Sequence, residues 1–309
     1  MNKVILLFSF LLFLFSCSDH NINKEEEKEL SITQESLKNH FVVPTVPDQM
    51  NFAGEVVSFK DVDLRERMDN ELVINNFWHS NTILMMKRSN RWLPVMKDIF
   101  TSEGVPIDLV YIAVIESGLM NVTSPRGAKG FWQFMEATGK EYNLIINDQM
   151  DERYHVEKST RAACQYLKDA YDKFGSWVLA AASYNLGMNG IASNLERQKV
   201  KSYFDLSLNS ETARYVFRIM AVKLVFENPA NYGFYINNES LYPEYLTKNV
   251  IIDTSIPNLY EWSIEHGISI KILRKLNPWI KGQKFEVKEG EVFSFKIPVD
   301  NEQLGLIEG

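Results

Sequence analysis

The stretch Leu109-Val-Tyr-Ile-Ala-Val-Ile-Glu116-Ser117-Gly118 runs an apolar segment straight into a carboxylate. On a helix, Leu109, Ile112, Ala113 and Glu116 follow the i, i+3, i+4, i+7 spacing, so the acid shares a face with core residues. Burial disfavours the ionised form and raises the pKa, which is what a general acid working near neutral pH requires. A lone glutamate at a helix end more often reaches water or an arginine, because structural ion pairs also perturb carboxylates. Here, however, it is followed by a glycine-rich aromatic stretch, Gly127-Ala-Lys-Gly-Phe-Trp-Gln133. Between Ser124 and Gly139 the glycines and Pro125 break regular structure, so functional side chains there would stand on loops and short turns.

Outward from this stretch the pattern is helical. Leu64, Met68 and Leu72 mark one helix from about Asp63, and Ile83 to Met86 a second stretch; Trp92-Leu93-Pro94 is expected to open a further helix through Phe100. Pro106 suits the first turn of the helix that ends in Glu116. Downstream, Ala163, Tyr166, Leu167, Ala170, Tyr171 and Phe174 form one stripe of a helix from His155, stopped by Gly175. Ser176 to Ser183 reads as a short alanine-rich helix, and Ser210 to Phe226 as a long one capped by Ser210. After about Asn237 the character changes: Val250-Ile251-Ile252 and Val292 to Ile297 read as strands, with Leu259 to His266 and Ile270 to Leu276 as helices between them. That β-α-α-β order suggests a second, small domain.

The whole chain sets further bounds. Its 309 residues, 45% of them hydrophobic, can bury a real core. The 33 basic and 40 acidic residues leave a formal charge of −7, without a basic, aromatic-interleaved patch, so nucleic acid is not an expected partner. Lys3 and the apolar stretch Val4 to Phe15 form a leader too short to span a bilayer comfortably, and Leu14-Phe15-Ser16-Cys17 closes it. Residues 17–50 are polar, carry the charge run Lys24 to Glu29, and read as a flexible tether. Cys164, the other cysteine, has no partner within the folded part and reads as a small buried filler. No cofactor is expected and no metal: the five histidines lack ligand spacing. Nor do the glycines from Gly127 to Gly139 carry the lysine-threonine signature of a phosphate loop.

Several segments together resemble the Slt-type lytic transglycosylases. They are Glu116-Ser-Gly-Leu119, Ser124-Pro125, Gly127-Ala128, Gly130-Phe-Trp-Gln-Phe-Met135 and Ala137-Thr-Gly139, then Asp151, Arg153, the Ser159 to Leu167 stretch and Ala180-Ala-Ala-Ser-Tyr-Asn-Leu-Gly187. The resemblance covers residues 90–230 and implies a mainly α, lysozyme-like catalytic domain spanning 51–236. A linker at 237–249 would lead to residues 250–300, which resemble a LysM-like α+β module that binds N-acetylglucosamine-containing glycans or serves only for packing. The leader resembles a bacterial lipoprotein signal, residues 1–16, with Cys17 as the lipidated residue. A cell-envelope protein follows, a monomer lipid-anchored in the outer membrane and facing the periplasm, with peptidoglycan glycan strands as partner.

The resemblance implies cleavage of the β-1,4 bond between N-acetylmuramic acid and N-acetylglucosamine without water. Glu116 acts as acid and then base, and a 1,6-anhydromuramoyl end results. By position, Ser124 would bond substrate near the cleaved bond, Gln133 and Met135 would line the groove, Tyr184 would stand beside the acid, and Asn185 would hold substrate or backbone. Each has a plainer reading: Ser124 can cap a turn before Pro125, Met135 can belong to the core, and Tyr184 can bury its ring with its hydroxyl satisfied locally. Trp132 and Ser117 read as structural. Two alternatives keep the fold. One is a hydrolase in which Asp148 or Asp151 positions a water; the other is a glycan-binding lipoprotein with an idle site.

Overall fold

Pro94 sits where a helix should start, yet it lies inside one. In the computed structural model, which describes residues 42–299, helix α1 (Val62–Phe77) is followed after Trp78 by a single 25-residue helix α2 (His79–Glu103). A proline inside a helix forfeits one backbone hydrogen bond and crowds the preceding turn. The helix runs on through Pro94 because Met86, Leu93, Met96, Ile99 and Phe100 are all buried along it, with Phe100 stacked on Trp132 at 5.6 Å between ring centroids. Tertiary packing thus overrides the local signal.

The motif helix is short. Pro106 caps a 3-10 turn, Ile107–Val110, that passes into α3 (Tyr111–Ser117), and Gly118 ends it at φ 59°. Residues 109–114 are all buried, so α3 is wrapped by the domain on every side but its C-terminal end. After α4 (Glu136–Glu141) come α5 (Val156–Phe174), stopped by Gly175 at φ 65°, and α6 (Trp177–Leu186), capped by the Ser176 hydroxyl. A further helix, α7 (Met188–Gln198), was not expected. The long α8 (Ser210–Glu227) packs against α3 and α1; its cap is the Asn209 side chain, which accepts from Thr212 N at 3.0 Å, and not the expected Ser210.

Folded structure is present within the last part of the expected tether. Val46 and Met50 are buried, and β1 (Gln49–Phe52) pairs antiparallel with β2 (Glu55–Ser58) through a tight turn in which Ala53 and Gly54 both have positive φ. That turn geometry matches the twist of a two-residue hairpin. The alternating Met50, Phe52 and Val57 face the core, too brief a pattern to stand out from a polar tether. The leader, Cys17 and residues 18–41 lie outside the described residues.

The C-terminal lobe has the expected order: β3 (Thr247–Ile252), α9 (Leu259–Glu265), α10 (Ile270–Leu276) and β4 (Phe293–Pro298). The two strands pair antiparallel from Thr247↔Pro298 to Ile252↔Phe293. Leu259, Leu273, Trp279, Phe285 and Phe295 form its core, and Met150 of the helical domain enters that core as well. The joint continues through the backbone: Asp151 N donates to Trp279 O at 2.8 Å and Lys281 N to Gln149 O at 2.9 Å. The segment read as a linker is bound down too, since Tyr242 N donates to Lys87 O at 3.1 Å and Arg91 Nε to Pro243 O at 2.7 Å.

Candidate active site

Glu116 occupies the last turn of α3, half-buried, where the apolar segment meets the loop. Its Oε1 accepts a hydrogen bond from the Tyr215 hydroxyl at 2.6 Å. Burial pushes the carboxyl up from its ordinary value; the Tyr215 bond and the Arg218 guanidinium act against this, and the negative Glu211 reinforces it. Arg218 also donates to Ile115 O at 3.2 Å, satisfying a carbonyl that the end of α3 leaves open. Ser117 turns inward, its hydroxyl on Ala113 O at 2.9 Å, and is structural as expected.

The loop after Glu116 is built on backbone strain and one arginine. Leu119 and Gln133 adopt positive φ, 56° and 49°, a conformation that non-glycine residues rarely take outside constrained sites. Gly130 is required: a Cβ there would meet Arg153 O at 1.9 Å. Arg153, itself buried, donates to Asp151 at 2.9 and 2.8 Å and to the carbonyls of Gly127 and Phe134 at 3.3 and 3.2 Å, so its planar fork holds both ends of the loop. Trp132 is wholly buried with its indole N–H on Thr160 Oγ1 at 2.9 Å, the structural role read from sequence.

Several expected binding residues spend polar atoms on this scaffold. The Ser124 hydroxyl accepts from Ala128 N at 3.0 Å, the turn-capping role. Gln133 Nε2 donates to Gly130 O at 2.7 Å and Val122 O at 3.2 Å, so its amide nitrogen braces the loop. Met135 is 46% exposed, against the plainer reading that it belongs to the core. Asn185 Oδ1 accepts from Thr212 Oγ1 at 2.7 Å, tying α6 to α8, and its Nδ2 lies 3.4 Å from Glu211.

Tyr184 lies within electrostatic reach of Glu116, but its hydroxyl donates to Trp132 O at 2.9 Å; the phenol hydrogen-bonded to the acid is Tyr215. Both phenols are driven well above their ordinary range, by burial first and then by the Glu116 charge, so both remain protonated donors. Sequence reading missed Tyr215. The available signal was a polar-tipped ring on the core face of α8, which needs a partner when buried; the partner lies 99 residues upstream.

The other carboxylates have defined stations. Asp151 is wholly buried and held by Arg153 and Lys129, which keep it below the usual carboxylate range despite its burial, so it has no free oxygen with which to position a water. Glu211 is exposed. Cys164 is buried, its thiol pushed up to about 12 by burial, as suits a filler. Among the described residues no cluster of histidine, cysteine and carboxylates could hold a metal, and no helix is long and apolar enough to cross a membrane.

Comparison with known proteins matches residues 101–206 to the transglycosylase SLT domain and residues 248–301 to the soluble lytic transglycosylase C-terminal LysM-like domain. Among curated relatives, the membrane-bound lytic murein transglycosylase D of Escherichia coli is 26% identical over 225 residues, 71% of this chain and 48% of the relative. The chain thus spans about half the length of that relative. A protein of Alteromonas named for tributyltin chloride resistance is 30% identical over 126 residues, 39% of this chain and 61% of that one. Among solved structures, an inactive mutant of the lytic transglycosylase Slt from Pseudomonas aeruginosa is 19% identical with a TM-score of 0.35, covering 49% of this chain and 26% of that one.

Proposed function

We propose that this chain, which carries an SLT transglycosylase domain and a LysM-like C-terminal domain, is a peptidoglycan lytic transglycosylase. One observation carries the reading: a single half-buried carboxyl, raised by burial and gripped by a phenol, at the point where the apolar motif helix opens onto the aromatic loop. Glu116 in its acid form gives its proton to the glycosidic oxygen as the bond from that oxygen to muramoyl C1 breaks. The resulting carboxylate then takes the proton of the muramoyl 6-hydroxyl while that oxygen bonds to C1. The products are a free 4-hydroxyl and a 1,6-anhydro end; Glu116 is protonated again and no water is consumed. An intramolecular nucleophile suits a site with one such acid, since proximity replaces the second carboxylate that activates water in ordinary glycosidases.

Tyr215 serves this cycle by keeping the carboxyl oriented in both protonation states, and its bond strengthens when the carboxylate forms. Asp151 is ill suited to the hydrolytic alternative because Arg153 holds both its oxygens, Oδ1 through Nε and Oδ2 through Nη2, and Lys129 lies on Oδ2 as well. In this reading Gln133 and Met135 line the strand-binding surface, Ser124 and Tyr184 support it, and Asn185 holds the first turn of α8. Cys17 carries the lipid that keeps the enzyme at the envelope, on the periplasmic face of the outer membrane.

Digestion of purified sacculi by the wild-type chain and Glu116→Gln, with product masses, tests the reaction. The wild type is expected to release fragments lighter by one water than hydrolytic products, and the amide variant none. Reducing ends in place of anhydro ends would establish the hydrolase, and undiminished release by Glu116→Gln would remove Glu116 from the chemistry.

A further inference from the structure

The residues on either side of Glu116 open onto a cavity of about 480 Å³, within the range of sites that hold small ligands. Ile115, Ser117 and Gly118 form one side of it, and Glu211, Arg214 and Arg218 of α8 form another. The remaining wall comes from the joint between α1 and α2, where Ile74 and Trp78 are exposed to solvent. Helix α1, the start of α2 and α8 lie outside residues 101–206, so most of this wall is not part of the matched SLT segment.

Four charged groups line the cavity, and two of them are closed on each other: Arg214 donates to Glu71 through Nε at 2.5 Å and through Nη2 at 3.1 Å. The other two are open. Arg218 donates to Ile115 O at 3.2 Å, and among the described residues no carboxylate forms a salt bridge with it. Glu211, in the first turn of α8, meets only the Asn185 amide at 3.4 Å and no cation. Between these charges the wall is apolar, with Ile74, Trp78, Met120 and Val222, and Asn81 gives its amide only to Met85 Sδ at 3.7 Å. An uncharged glycan would leave the guanidinium unanswered, and an anion alone would be repelled by Glu211. A short peptide with a free carboxylate and a free ammonium group answers both, with a backbone amide for Asn81. In peptidoglycan such a peptide hangs from the muramoyl residue, the sugar whose C1 Glu116 would act on.

We propose that this cavity holds the peptide carried by the muramoyl residue at the cleaved bond, with Arg218 taking a carboxylate and Glu211 an ammonium group. The chain then prefers peptide-bearing strands to bare ones. The identity of the strand rests on the transglycosylase reading of Glu116, but binding of the peptide is measured apart from cleavage.

The test uses the full chain carrying Glu116→Gln, titrated with the N-acetylated tetrapeptide L-Ala-γ-D-Glu-meso-diaminopimelyl-D-Ala while the indole N–H resonances of its six tryptophans are followed. That of Trp78, identified by replacement with phenylalanine, is expected to move saturably with the peptide and to stay in place with triacetylchitotriose. Arg218→Met should weaken peptide binding about tenfold, as the loss of a hydrogen bond to a charged group implies, and Arg218→Lys should restore part of it. Ile74→Tyr, which narrows the cavity from α1, should abolish binding, and decides the matter if thermal melting shows Arg218→Met to be misfolded. Wild-type chain should cut intact strands faster than strands freed of peptide by an amidase. The proposal is overturned if the peptide leaves Trp78 unmoved, if the sugar moves it instead, if Arg218→Met and Ile74→Tyr bind like the parent, or if both kinds of strand are cut at one rate. Peptide binding together with hydrolytic products from sacculi would overturn the transglycosylase reading and keep this site; anhydro products without peptide binding would do the reverse.

Discussion

Glu116 is held between opposing influences, and each can be removed singly. The acid must start protonated, so activity falls as pH rises through its elevated pKa. Tyr215→Phe deletes a bond that favours the carboxylate; the alkaline limb of the rate profile should move up in pH, while the rate drops about tenfold as the carboxyl loses its orientation. Glu211→Gln deletes a charge that disfavours the carboxylate, so the same limb should move down, by less at high salt because Glu211 is exposed. Parallel shifts in the two variants would show that Glu116 does not set the limb. Stability carries the same signature. A carboxyl whose folded pKa exceeds its unfolded value contributes most below the unfolded pKa, and that contribution is lost as pH rises through the folded one. Glu116→Gln should therefore melt a few degrees above wild type at neutral and alkaline pH and converge with it in acid. The acid itself was legible in sequence from the apolar run and the glycine-rich stretch; its phenol was not, because a hydrogen bond across 99 residues leaves no local pattern.

The loop and the hairpin depend on single interactions that span elements. Gly130→Ala puts a methyl group into the Arg153 carbonyl and demands a positive φ of 80°, so it should cost about 2–4 kcal/mol and remove activity through the loss of the Gln133 turn. Chemical denaturation checks the first part; wild-type stability in the alanine variant would mean that the loop relaxes freely. Glu55, at the hairpin tip, accepts from the backbone N–H groups of Trp177 and Val178 at 2.5 and 3.1 Å and from the Ser176 hydroxyl, so a strand residue caps α6 from outside. Glu55→Ala should cost about 1–2 kcal/mol by exposing those donors and the helix dipole; an unchanged denaturation midpoint would leave Ser176 as the sufficient cap. Helices α5, α6 and α8 were legible from apolar stripes and glycine stops. The hairpin was not, since strands of four residues in a polar setting give too few alternations to read.

Across the molecule, the two lobes are joined by Met150, by the backbone pairing around Trp279, and by Glu157 with Lys296. Burial raises the Glu157 carboxyl, but the bonds from His155 and Lys296 outweigh it and hold the group at about 2, against an ordinary 4.5. A depressed carboxyl contributes stability that is present above its unfolded pKa and lost as pH falls through the folded value. The joint should therefore weaken between about pH 4.5 and 2. Lys296→Met removes the pair's cation; on the order of 1 kcal/mol for a partly exposed pair, it should lower the melting temperature by about 2–4 °C at pH 7 and lose that difference in strong acid. Equal melting at both pH values would show that Met150 and the backbone pairing suffice.

Periodicity and punctuation are local properties, and they were enough to read a mainly helical domain, a β-α-α-β lobe, and the carboxylate that ends the motif helix. The partners of polar atoms are not local. That Tyr215 and not Tyr184 bonds Glu116, that Arg153 carries the loop, that Pro94 leaves its helix unbroken, and that Met150 belongs to the core of the other lobe were decided by packing. A buried polar or apolar atom takes whichever partner the folded chain brings within reach, however far away it lies in sequence.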